Sequence, residues 1–148
     1  MNWKKNIENL NQCLNDISFR NNEGKEIEPD TGFLEWLKRT QNVRKSNNTI
    51  FLVGNGASAS MACHMAADVA KTGKIKTQVF TDVSLITAIA NDISYDEVFA
   101  EPIKLQMAEN DMLVAISSSG NSKNIIRACE ECRKKKRTDH YIICNEKR

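Results

Sequence analysis

The sequence predicts an α/β domain built on a parallel sheet and preceded by a pair of helices. Three observations carry that prediction. Continuously apolar runs such as "TIFLVG" (Thr49–Gly54) and "DMLVAIS" (Asp111–Ser117) are what strands buried on both faces require. Segments of helical spacing alternate with such runs from Thr49 onward, which is the rhythm of βαβ units. Residues 1–48 contain no such run and read as helix, loop, helix.

Taken in order, Ile7, Leu10, Cys13, Leu14 and Ile17 recur at helical spacing and predict an amphipathic first helix. "FRNNEGKEIEPD" is polar, holds Gly24 and Pro29, and predicts a loop. Asp30 or Thr31 is placed to cap a second helix through Phe33, Leu34, Trp36, Leu37 and Val43, which "KSNN" ends. "TIFLVG" is then the first strand of the sheet, "NGAS" a turn, and "ASMACHMAADVAKTG" a small-residue helix stopped by Gly73. "KTQVFT" predicts a second strand and "DVSLITAIAND" a loop with a short helix. "SYDEVFAEPIKLQMAEN" predicts a helix with Pro102 in or near a break. "DMLVAIS" is the third strand, "NSKNIIRACEECRKKKR" a long helix and "DHYIIC" a fourth strand. Residues 1–48 and 49–148 are read as the helical and sheet-bearing parts of a single domain. Arg148 follows closely on the fourth strand, where a doubly wound sheet carries a further helix. The expectation is that a partner subunit covers this strand, or that the polypeptide is shorter than its architecture.

Composition narrows the class. With 148 residues, 41% of them hydrophobic, there is material for one core and little room for a second. Acidic and basic residues nearly cancel, leaving a net charge of +2, so neither a nucleic acid nor a membrane surface is demanded as a partner. "MNWKKNIENLNQCL" is too polar for a signal peptide, and the odd count of 5 cysteines points to reduced thiols in the cytoplasm. Cys129 and Cys132 form a CxxC inside a helix without a second pair, which favours ordinary thiols over a metal or redox site. The basic run Arg133–Arg137 complements a helix C-terminus, and no aromatic residues interleave with it as a nucleic-acid groove would need.

Two loops carry the chemical interest. Gly54-Asn55-Gly56-Ala57-Ser58-Ala59 fits G-x-G-x-x-A, which suits a dinucleotide pyrophosphate and equally suits a tight turn that needs small residues. The nearest acidic residue at the end of the second strand is Asp82, which lies late for a ribose contact. "SSSGNS" (Ser117–Ser122) occupies the same place after the third strand. Ligands of open parallel sheets bind at the carboxyl ends of strands, and the helix opening near Ser122 offers unpaired N–H groups and a partial positive charge. Gly120 permits close approach, and the hydroxyls of Ser117, Ser119 and Ser122 can donate to an oxyanion. No lysine stands in a P-loop position, so a phosphate monoester fits better than a nucleoside triphosphate. The plain alternative is a serine-rich turn in which Ser122 caps a helix.

"VGNGASA", "TDVSLITAIAND" with "DEVFAEPI", and "AISSSGNSKNIIRA" resemble, in order, the sugar isomerase (SIS) domain family, and within it the phosphoheptose isomerases. The resemblance implies a flavodoxin-like three-layer αβα fold and a homotetramer with the N-terminal helices between subunits. It implies a phosphorylated sugar held by Ser117, Ser118, Ser119 and Ser122, in a pocket also lined by Asn55, Gly56, Ser58, Asn91 and Asp92. The implied reaction is aldose–ketose isomerisation between sedoheptulose 7-phosphate and a heptose 7-phosphate through an enediol. His64 and Asp68, at i and i+4 on one helix face, match the family's acid–base positions, where Asp68 replaces a glutamate. In some members this pair also helps to hold zinc, together with a glutamine and a histidine near the chain's end. Neither has a counterpart before Arg148, and His140 is expected at the opposite edge of the sheet from the ligand loops. A zinc ion on His64 and Asp68 alone would be poorly held, since catalytic zinc normally takes three protein ligands. For His64 a satisfied core histidine is the alternative. For the chain as a whole, the alternative is a non-catalytic SIS module that binds a sugar phosphate or a protein.

Overall fold

The computed structural model describes residues 2–134 and the backbone of residues 140–144. Helix α1 spans Trp3–Asn15, a small ribbon pairs β1 (Phe19–Arg20) with β2 (Glu26–Ile27), and α2 spans Pro29–Lys45. After them come β3 (Thr49–Gly54), α3 (Ala57–Lys71), β4 (Lys76–Val79) and α4 (Val83–Asp92). A 3-10 turn at Tyr95–Glu97 leads into α5 (Ala100–Gln106), β5 (Met112–Ser117), α6 (Lys123–Lys134) and β6 (His140–Cys144). The chain divides into two compact units, Met1–Arg39 and Thr40–Arg148.

The larger unit holds the sheet. Its strands run parallel in the order β4-β3-β5-β6, the strand order of flavodoxin-like folds. From β3 the chain steps to β4 on one side, then returns past β3 to β5. With right-handed crossovers that reversal puts α3 on one face and the later helices on the other. Contacts agree: α3 lies on β3 and β4, while α5 packs against α6. In register, Phe51 faces Leu113, and Leu52 sits between Val79 and Val114. All of β5 is buried, which explains its unbroken apolar run. Phe51, Phe80, Val98, Phe99, Ile103 and Leu113 form the main cluster with Ile125 and Cys132 of α6. Each large side chain buried there is worth at most about 1.5–3 kcal/mol of hydrophobic stabilisation.

Several elements differ from the sequence expectation, each for a local reason. The polar segment after α1 is not all loop. Asn21 accepts from the backbone N–H of Glu23 and Lys25 at 3.0 and 2.9 Å, closing a hairpin whose two-residue strands are too short to show a period. Helix α2 begins at Pro29, earlier than an Asp30 or Thr31 cap would allow, because proline suits a first helical position. The helix expected around Pro102 is split into the 3-10 turn and α5. Pro102 then falls in the first turn of α5, where its missing N–H costs no intrahelical bond. Beyond Gln106, Asp111 accepts from Ala108 N at 2.6 Å and Asn110 takes a φ of 66°, so "MAEN" turns into β5.

In the smaller unit, α1 buries none of its residues. Trp3, Ile7, Leu10 and Leu14, with Ile17 just past its end, are all exposed and alternate at four- and three-residue steps, the seam spacing of packed helices. No helix of the described residues is long and apolar enough to cross a membrane.

Candidate functional site

The strand order reverses between β3 and β5, so the connections leave their carboxyl ends in opposite directions and open a crevice. The glycine loop leaves β3 at this crevice and the serine loop leaves β5. Gly54 is sterically required, since a Cβ there would lie 2.6 Å from the backbone C and O of Ser58 as α3 turns over the strand. Gly56 has a φ of 53°, a left-handed conformation that bulky residues avoid, and its carbonyl accepts the N–H groups of Ala59 and Ser60 at the start of α3. Ser58 is half-buried and donates its N–H to the Asn55 carbonyl at 3.0 Å.

In the serine loop the hydroxyls divide into two kinds. Ser117 is 5% exposed, and its Oγ accepts from Gly120 N–H at 3.1 Å, closing the loop on itself. Ser119 Oγ accepts from Asn121 N–H at 3.2 Å but remains exposed, as does Ser118. Ser122 is half-buried, and its carbonyl accepts from Ile125 and Ile126 N–H at 3.0 Å, the backbone role of a helix cap. The α6 N-terminus therefore opens at the crevice with exposed hydroxyls beside it, an arrangement suited to an anion.

Two residues outside the sequence expectation tie the loops together. Asn55 Nδ2 donates to Asn124 Oδ1 at 2.9 Å, and Asn124 Nδ2 donates to Asn55 Oδ1 at 2.9 Å. Tyr95 Oη donates to the same Asn55 Oδ1 at 3.4 Å. Nothing in the spacing could have found Asn124, because an asparagine in a helix's first turn reads as a surface residue until the sheet order places it opposite residue 55. Asn91 and Asp92 bond to each other at 2.8 Å at the end of α4, just before the turn that carries Tyr95. At the end of that turn Glu97 accepts from Arg127 Nε at 2.7 Å, and Glu130 accepts from Nη1 at 2.9 Å. The bond to Glu97 first, then that to Glu130, raises the Arg127 guanidinium above its ordinary pKa.

His64 and Asp68 do share one face of α3, with His64 Nε2 3.4 Å from Asp68 Oδ2. Their side chains are 83% and 64% exposed, which removes the core-histidine alternative. Among the described residues no group of three His, Cys, Asp or Glu side chains could hold a metal ion, so this pair does not by itself fit a zinc site. The register pairs His140 with Leu113, at the amino end of β5, away from the ligand loops. Asp82 caps α4, accepting from Leu85 N–H at 2.9 Å, so it serves the helix and not a ribose. Cys129 and Cys132 lie in the core as thiols. Of the basic run, Arg133 and Lys134 end α6, and residues 135–137 lie outside the described residues.

The profile of the SIS domain family matches residues 37–143. The chain belongs to the SIS domain family. Among similar sequences is a phosphoheptose isomerase of Helicobacter pylori, 42% identical over 97 residues that make up 60% of this chain and 50% of the relative. Another, from Aneurinibacillus thermoaerophilus, is 39% identical over 99 residues, 63% of this chain and 50% of the relative. The SIS chain thus spans about half the length of these relatives. Among solved structures, phosphoheptose isomerase from Neisseria gonorrhoeae superposes with a TM-score of 0.66 at 33% identity, over 75% of this chain and 59% of that one. A phosphoheptose isomerase from Francisella tularensis reaches 0.75 at 22% identity, over 96% of this chain and 70% of that one, a likeness of fold.

Within this SIS domain the three sequence motifs differ in content. "DEVFAEPI" is mainly core, with Val98, Phe99, Ala100 and Ile103 buried. The glycine and serine loops are the parts that reach the crevice.

Proposed function

We propose that this SIS chain binds a phosphorylated sugar at the β3–β5 crevice and takes part in isomerisation of the phosphoheptose type. The observation that carries the reading is the serine loop, whose exposed Ser118 and Ser119 and half-buried Ser122 surround the opening of α6 at the strand-order reversal. The names of similar proteins, phosphoheptose isomerases, support a heptose phosphate, and sedoheptulose 7-phosphate is the ketose proposed. In this reading Ser117 shapes the loop, Ser118, Ser119 and Ser122 donate to the phosphate, and Asn55, Gly56, Ser58, Asn91 and Asp92 line the sugar's side of the pocket.

The isomerisation needs a base that takes a proton from C1 while the C2 carbonyl oxygen gains one, giving an enediol. C2 then regains a proton as the O1 hydroxyl gives one up, leaving the aldose. His64 and Asp68 are the groups proposed for these transfers. His64 and Asp68 give a zinc ion too few donors among the described residues.

The proposed assembly is a homotetramer in the cytoplasm, supported by the exposed seam of α1 and by Cys13, Cys63, Cys129 and Cys132 standing as thiols. The second reading, a SIS module that binds a sugar phosphate or protein without turnover, draws on the exposure of His64 and Asp68, since acid–base groups open to water lack the desolvated setting of most active sites. Incubation with sedoheptulose 7-phosphate, with and without zinc, separates the two. Aldose formation supports the isomerase. Binding without aldose, from protein shown to be folded, overturns turnover and leaves the module.

A further inference from the structure

We infer that Asn124 and Tyr95 are positioning residues that set Asn55 for recognition of the sugar, as distinct from its phosphate. The inference rests on the sugar-phosphate reading above. Asn124 is 3% exposed, and a buried amide must find partners within the protein. It finds them in Asn55, through two reciprocal bonds of 2.9 Å that span the crevice from the glycine loop to the first turn of α6. A cyclic pair of amides holds both side chains in one plane, so Asn55 cannot swing away from the opening.

Such a pair reads the same if both amides turn over together. A phenol both donates and accepts, so Tyr95 holds Asn55 in either setting; in the structure it donates to Asn55 Oδ1. Both lone-pair sites of this oxygen are then taken, one by Asn124 Nδ2 and one by Tyr95. Asn55 Nδ2 has two hydrogens, of which the pair uses one. Half-buried Asn55 thus keeps one site for a ligand: in this setting a donor, matched to a hydroxyl or carbonyl oxygen of the sugar, and with the pair turned over an acceptor for a sugar hydroxyl. The serine loop serves the phosphate end. The two loops thus divide the ligand, and the amide pair fixes their separation.

The division can be tested on the full chain with two probes, sedoheptulose 7-phosphate and inorganic phosphate, by calorimetry. Asn124→Leu keeps the side chain's shape, adds no charge and suits a buried site, so the variant should fold with a thermal midpoint lowered only by the loss of its two bonds to Asn55. Its affinity for the sugar phosphate should fall about tenfold, while that for inorganic phosphate changes by less than about twofold. Tyr95→Phe, at a mainly exposed side chain, should weaken the sugar phosphate about threefold in the same selective way, and it decides the matter if Asn124→Leu does not fold. Equal losses for both probes would make the pair a scaffold for the serine loop and overturn the inference. Unchanged affinity for the sugar phosphate in either folded variant would also overturn it. A wild type that binds inorganic phosphate but shows no gain for the sugar phosphate would overturn it as well. Failure of the wild type to bind either probe would remove the sugar-phosphate reading itself, and the inference with it.

Discussion

At the crevice between β3 and β5 the polar side chains are tied to one another, whereas on the outer face of α3 they stand in water. Asn55, Asn124 and Tyr95 form one network, and Ser117 holds Gly120. Bonds of this kind hold the two loops in one arrangement, which lowers the ordering cost of binding there. Among the described residues, His64 and Asp68 have only each other within reach of an ion pair, at 3.4 Å and largely exposed. Exposed charges interact weakly and move freely, which is poor preparation for a proton transfer. In the proposed reading, the contrast sets a nearly finished binding site against an unfinished catalytic one. A second subunit that covers α3 and excludes water would complete the proposed enzyme.

The largest effect expected from this contrast is a split between turnover and affinity. If the isomerase reading holds, His64→Ala should lower kcat by about 10²–10⁴-fold, the usual range for a lost acid or base. Its affinity for sedoheptulose 7-phosphate should stay within about twofold, because the proposed binding contacts come from the serine and glycine loops and not from His64. Steady-state kinetics with calorimetry checks both numbers, and a parallel loss of affinity would merge the two regions. A smaller effect is expected from Gly54→Ala. The added methyl meets the Ser58 backbone at 2.6 Å, so α3 must shift from β3 at a cost of about 1–3 kcal/mol of stability. Denaturant unfolding measures that loss, and a wild-type midpoint would show that the loop is looser than its contacts indicate.

The sequence disclosed the sheet more fully than the site. Thr49–Gly54 is strand from end to end as expected, because a strand buried on both faces leaves an unbroken apolar run. The hairpin at Phe19–Ile27 escaped notice, since its strands are too short for any alternation to register. Asn124 escaped for a different reason. Its partner lies 69 residues away, and only the order β4-β3-β5-β6 brings them together. The i,i+4 spacing of His64 and Asp68 placed them on one face of a helix but carried no information on whether that face was covered. Family likeness in "DEVFAEPI" identified a core as readily as a function, since its apolar residues pack under the turn that presents Tyr95.

The smallest effect tests the open region on its own. Asp68→Asn removes one charge of the His64 pair and keeps the side chain's shape. If α3 is uncovered, the pair contributes about 0–1 kcal/mol under conditions that protonate the imidazole, as exposed i,i+4 pairs do, and added salt should screen most of it. Urea unfolding of wild type and variant at low and high ionic strength measures that difference. A loss of several kcal/mol would mean that the pair is desolvated in the working protein, because removing one partner of a buried pair strands the other charge. Dilution then identifies the cover. If the excess loss disappears at low protein concentration, a second copy was shielding α3, since stability that depends on assembly falls with subunit concentration. If it persists, the cover comes from the same chain, and the catalytic half of the site is better prepared than its exposure of 83% and 64% indicates.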